Sequence, residues 1–85
     1  MNLSFSKKAE RGYQKLPPQI QKKSDKQFSL LLTNYRHPSL RSRKMGGSAV
    51  YEGRVDIHYR FTFYVEGDNI YILTIGPHDE GLGKN

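Results

Sequence analysis

The stretch Val50–Glu80, VYEGRVDIHYRFTFYVEGDNIYILTIGPHDE, leaves the chain few folds to choose from. It reads as three consecutive antiparallel strands and a polar tail. Tyr51–Val55 is a short strand that follows Gly46-Gly47-Ser48 and stops at Asp56. Tyr59–Glu66 is dense in aromatic and β-branched residues, which suit a pleated, half-buried surface. Gly67-Asp68 tolerates positive φ, and the apolar run Ile70–Ile75 follows, so this pair of runs predicts a hairpin. The period of two then sorts the side chains. Tyr59, Phe61, Phe63 and Val65 share one face, and Arg60, Thr62, Tyr64 and Glu66 share the other. Tyr51, Gly53 and Val55 alternate with Glu52 and Arg54. One face is apolar and must be covered. The other carries Arg54 and Arg60, with His78 arriving at the end of the third strand, a set that suits a phosphate-rich ligand.

The cover is supplied upstream. Asn2–Phe5 reads as a short edge strand with Leu3 and Phe5 inward. Ser6 is an N-cap for a helix that runs to about Leu16. In that helix Ala9, Tyr13 and Leu16 form one apolar stripe, opposite Lys7, Lys8, Arg11 and Lys15. Pro17-Pro18 ends it, and Pro18 suits the first turn of a second helix that extends to about Asn34. Ile20, Ser24, Phe28, Leu31, Leu32 and Tyr35 are its inner stripe. Arg36–Arg43 is a loop, broken by His37-Pro38, with Leu40 plugging the edge of the core. The order predicts an α+β fold: a two-layer sandwich with an N-terminal helical hairpin packed on a 3–4-stranded antiparallel sheet. Residues 1–80 make one domain, and 81–85 a flexible C-terminal tail.

Eighty-five residues bury only a modest core. The absence of cysteine removes disulfides and thiolate metal sites and fits a reducing cytoplasm. No apolar run approaches the roughly 20 residues that cross a bilayer, and no export signal is evident. The net charge of +6, concentrated between Lys7 and Lys44, predicts a polyanionic partner rather than a membrane. The histidines lack metal-ligand spacing, so no metal site and no small-molecule cofactor are expected.

The element order, the loop His37-Pro38-Ser39-Leu40, the phrase Tyr51-Glu52-Gly53-Arg54-Val55, Tyr59-Arg60-Phe61 and the closing Ile75-Gly76-Pro77-His78-Asp79-Glu80 together resemble the RelE/ParE toxin superfamily. The resemblance covers nearly the whole chain. It implies the toxin of a type II toxin–antitoxin module, held in check by a cognate antitoxin protein. Many such toxins are ribosome-dependent, metal-independent endoribonucleases (mRNA interferases) that cut mRNA in the ribosomal A site and inhibit translation. The alternatives are a ParE-like gyrase poison, or a basic RNA-binding module without toxicity. Under the resemblance Arg60 contacts the scissile phosphate, His78 is the general acid, and Arg54 supplies a second cation on the adjacent strand. Asp79 and Glu80 stand where several nucleases carry a base-stacking aromatic.

RNA cleavage by the 2′-hydroxyl needs a base, cations that stabilise charge on the phosphorane, and an acid for the leaving 5′-oxygen. Arg54 and Arg60 can supply the cations, because a guanidinium matches phosphate oxygens bidentately. His78 can supply the acid, since imidazole titrates near neutral pH. Glu52, His58 and Tyr64 are candidates for the base, and the residues do not choose between them. Arg41, Arg43 and Lys44 form a basic loop able to bind an RNA backbone. The plainer alternatives are that Arg60 pairs across strands with Glu52 or Glu66, and that the remaining charges are solvated surface.

Overall fold

The elements run β1 (Asn2–Phe5), α1 (Lys7–Gln14), α2 (Pro18–Thr33), β2 (Arg43–Lys44), β3 (Tyr51–Arg54), β4 (Tyr59–Glu66) and β5 (Asn69–Pro77). They come from a computed structural model that describes residues 2–34, 37, 40, 43, 44, 46 and 49–77. The strands form one sheet in the order β1-β5-β4-β3-β2. β2 through β5 pair antiparallel, as the sequence predicts. β1 differs: it joins the outer edge of β5 in parallel, Leu3 opposite Ile70 and Phe5 opposite Ile72. Both helices separate it from the rest of the sheet, and a crossover of that kind permits parallel pairing where a tight turn does not. The β4–β5 turn is closed by Gly67 at φ +59°, a conformation that residues with a β-carbon adopt at a cost.

Local chemistry sets the helix bounds. The Ser6 hydroxyl accepts from the Ala9 N–H at 3.0 Å and donates to the Leu73 carbonyl at 2.7 Å, so the cap also fastens α1 to β5. Helix α1 stops short of the expected Leu16, because Leu16 N–H turns back to the Tyr13 carbonyl (3.0 Å) ahead of the two prolines. Leu16 stays buried all the same. Pro18 opens α2, where a missing N–H costs nothing. The buried positions of α2 are Ile20, Ser24, Gln27, Phe28 and Leu31, with Leu32 half-buried. Tyr35, expected on the same stripe, lies outside the described residues, as does the tail 81–85.

Phe61 and Phe63 of β4 are fully buried beneath the helices. Edge-to-face contacts run from Phe5 to Phe28 (5.4 Å between centroids) and from Phe28 to Phe61 (5.2 Å), joining β1, α2 and β4. Leu40 is fully buried, as expected of a plug at the core edge. Two glycines make this packing possible. A β-carbon at Gly53 would collide with the Phe61 ring, and one at Gly12 would collide with the Ile75 carbonyl oxygen.

Strict alternation would separate Ile75 from Ile70 and Ile72. The structure keeps all three inside by a bulge. Thr62 pairs with Thr74 but Phe63 pairs with Ile72, so Leu73 is an extra residue in β5. Among the described residues no helix is long and apolar enough to cross a membrane.

Candidate functional site

The sheet face turned away from the helices carries the polar residues in rows. Arg54 stands directly opposite Arg60, and Arg60 opposite Gly76. The next row holds Glu52, Thr62 and Thr74, and the one beyond it Tyr64 and Tyr71. This face is less open than the sequence predicts, because Glu52 is 6% and Thr62 5% exposed. The hydroxyls of Thr62 and Thr74 bond to each other at 2.6 Å, and Tyr64 stacks on Tyr71 at 4.8 Å.

The sequence offered Glu52 or Glu66 as partners for Arg60, but the structure gives it neither. Its Nη1 donates to the carbonyls of Asp56 (2.6 Å), Ile57 (3.3 Å) and Tyr59 (3.2 Å). The guanidinium is thus held over the 55–58 loop by backbone, and no described carboxylate pairs with it. The loop is itself fixed by Asp56. The Asp56 carboxylate accepts from the N–H groups of His58 (2.9 Å) and Tyr59 (3.1 Å) and lies 3.5 Å from the Lys23 ammonium. Burial alone would raise the Asp56 pKa. The two N–H donors and Lys23 outweigh it and hold the carboxyl below its usual value.

Arg54 is held differently. Its carbonyl accepts from Gln27 Nε2 at 2.8 Å, which ties the end of β3 to α2. Its side-chain Nε is buried without a hydrogen-bond partner. A buried unsatisfied donor on a cation is costly. Its partner across the ladder is Arg60, a second cation on the same sheet face. Two arginines at paired positions make this row a candidate anion site.

The other expected residues are spread out. His58 is exposed on the loop beside Arg60. Tyr64 stands about 13 Å along β4 from Arg60 at ~3.3 Å per residue, two side-chain rows away. Lys44 is exposed on β2 opposite Tyr51, and the Arg43 backbone pairs with Glu52. Arg41, His78, Asp79 and Glu80 lie outside the described residues. Among the described residues no three His, Cys, Asp or Glu side chains gather as metal ligands would.

Sequence reasoning missed two supporting residues. Gln27 was hidden because it interrupts an otherwise apolar helical stripe. Asp56 carried a signal, since an Asp that begins a tight loop bonds the N–H groups just ahead of it.

By sequence, no protein-family model matches the chain and no curated protein is recognisably similar to it. Solved structures do match it in shape. A YoeB/ParE toxin from Agrobacterium tumefaciens superposes with a TM-score of 0.81 at 14% identity, covering 92% of this chain and 99% of the toxin. YafQ from E. coli strain BL21(DE3) superposes with a TM-score of 0.79 at 10% identity, over 95% and 97% of the two chains. The intact E. coli RelBE toxin–antitoxin complex contains a chain that matches with a TM-score of 0.74 at 18% identity, over 88% and 93%. The chain has the fold of the RelE/ParE-type toxins. In this RelE-like fold the paired arginines occupy the outer face of the sheet, and the helical hairpin covers the inner face.

Proposed function

We propose that the chain is the toxin of a type II toxin–antitoxin module, a ribosome-dependent mRNA endoribonuclease that works in the cytoplasm without a metal. The observation that supports it is the Arg54–Arg60 row, two arginines at paired positions on one sheet face with one buried donor unsatisfied, on a fold shared with RelE-type toxins. A phosphodiester seated there supplies the counter-charge that the two arginines lack among the described residues. In the reaction the 2′-oxygen forms a bond to phosphorus as the bond to the 5′-oxygen breaks. A base takes the 2′-OH proton; among the candidates His58 is nearest Arg60 in the chain and exposed. Arg60 and Arg54 stabilise the negative phosphorane. His78, assigned from the sequence, protonates the leaving 5′-oxygen. The antitoxin is a second, acidic partner.

The test is induction without antitoxin, with growth measured and mRNA 5′ ends mapped. Arg60→Ala is expected to lose about 10²–10³-fold in cleavage rate and His78→Ala about 10²–10⁴-fold, both folded by circular dichroism. Arg60→Lys is expected to recover only part, because one ammonium cannot bridge carbonyls and phosphate together. Growth arrest by folded His78→Ala with mRNA intact and DNA broken would replace the nuclease reading with a gyrase poison.

A further inference from the structure

A cavity of 440 Å³ lies between α1 and the end of β5, away from the arginine row. Lys8, Arg11 and Lys15 line it from the helix side, and Tyr59, Gly76 and Pro77 from the sheet side. Its origin can be traced to the sequence. The three cations follow one another at spacings of three and four, which puts them on one stripe of a helix. Gly12, in the middle of that stripe, lets the helix lie against the β5 backbone, where any β-carbon would strike the Ile75 carbonyl. β1 pairs with β5 only from Asn69 to Ile72, so no described strand covers the edge of β5 beyond that point. The cationic stripe therefore overhangs a bare length of strand.

Among the described residues the charge lining this cavity is not balanced. No carboxylate lines it, and none of Lys8, Arg11 and Lys15 has an ion-pair partner among the described residues. The acids of this region sit elsewhere: Glu10 and Asp25 line a separate hollow that contains no cation. A merely solvated helix would mix its signs. Here they are sorted, with three cations gathered into one concave space.

We propose that this cavity is a second anion subsite, which takes a backbone phosphate of single-stranded RNA next to the one held at the arginine row. The proposal rests on the reading of the chain as an RNA-binding toxin and adds a separate position on the strand. Gly76 lines the cavity and also stands opposite Arg60, and Pro77 stands opposite Tyr59. The two subsites lie on opposite faces of the sheet, and a short nucleotide stretch occupying both passes round the edge of β5 at Gly76, whose backbone is one strand spacing, about 4.8 Å, from that of Arg60. Gly76 keeps the passage between them clear, since nothing lies within 4 Å of where its β-carbon would be.

The experiment measures binding of a 2′-O-methyl RNA octamer, which cannot be cleaved, by fluorescence anisotropy across a series of KCl concentrations. Wild type is compared with the triple variant Lys8→Gln/Arg11→Gln/Lys15→Gln. The control, Lys7→Gln/Lys22→Gln/Lys26→Gln, removes as many charges from exposed helix positions outside the cavity. Each phosphate contact on a single strand contributes about 0.7 to the slope of log K against log salt, so the cavity variant, losing its one phosphate, is expected to lose about 0.7 from that slope. The control is expected to lose much less. The charge-preserving triple Lys8→Arg/Arg11→Lys/Lys15→Arg is expected to keep the wild-type slope, which separates lost charge from lost folding.

Equal slopes for the cavity and control variants would overturn the proposal. So would an octamer indifferent to the cavity cations while a polyglutamate peptide depends on them, since the occupant would then be an acidic protein. Failure of the nuclease reading looks different: the octamer binds with the expected cavity dependence, yet no mRNA is cut in cells.

Discussion

Arg60 commits one terminal nitrogen to the carbonyls of Asp56 and Ile57 in the preceding loop and of Tyr59 beside it, and Asp56 holds that loop in shape. The aim of the guanidinium is therefore set by a carboxylate that touches no ligand. Because the Asp56 pKa is depressed in the folded protein, its stabilising effect is complete above the unfolded value near pH 3.9. It is lost as pH falls through the lower folded value. In urea titrations Asp56→Asn is expected to be less stable than wild type at pH 7, with the gap closing below about pH 4. A gap that stayed constant down to pH 2 would show that the carboxylate charge plays no part. At this scale the sequence was readable in part. Alternation brought Arg54 and Arg60 to one face, because strand period is a local rule. The carbonyl partners of Arg60 were not readable, because they depend on how a four-residue loop folds back beneath it.

At the scale of elements, α1 and β5 are fitted to each other more closely than helix propensity would choose. Alanine in a helix is favoured over glycine by about 0.8–1.0 kcal/mol. At position 12 the added methyl meets strand backbone, which cannot swing away as a side chain can, and overpacking of this kind costs about 1–3 kcal/mol. Gly12→Ala is therefore expected to lower the urea midpoint, against its propensity. A rise in the midpoint would mean that α1 stands further from β5 than the structure shows. The extent of β4 and the capping by Ser6 were legible in the sequence, since pattern and side-chain chemistry determine them. The Leu73 bulge was not. A run of apolar residues from Ile70 to Ile75 gives no sign of where alternation slips, and only packing against Phe61 and Phe63 decides it. The parallel direction of β1 was likewise set by the crossover rather than by its four residues.

Across the whole molecule, a net charge of +6 on 85 residues favours encounter with acidic partners. The proposed antitoxin is expected to associate more slowly as salt rises, because rim charges act over a Debye length of about 10 Å at 0.1 M. Stopped-flow association rates that were flat from low to high salt would argue for a docking surface dominated by apolar contacts.

The parallel pairing of β1 with β5 also has a consequence for biosynthesis. Asn2 is hydrogen-bonded to the Asp68 carbonyl at 2.8 Å, and Ser6 to Ile72 and Leu73. The earliest strand described thus finds its place only on the last strand described. Closing so long a loop carries an entropic cost that nothing repays until β5 is available. While Arg60 is being translated, the edge of the sheet that α1 rests on does not yet exist. The nascent chain must pass most of its synthesis without a settled sheet, and its cations reach their working arrangement late. A chain assembled in this order completes its sheet only once β5 has been made.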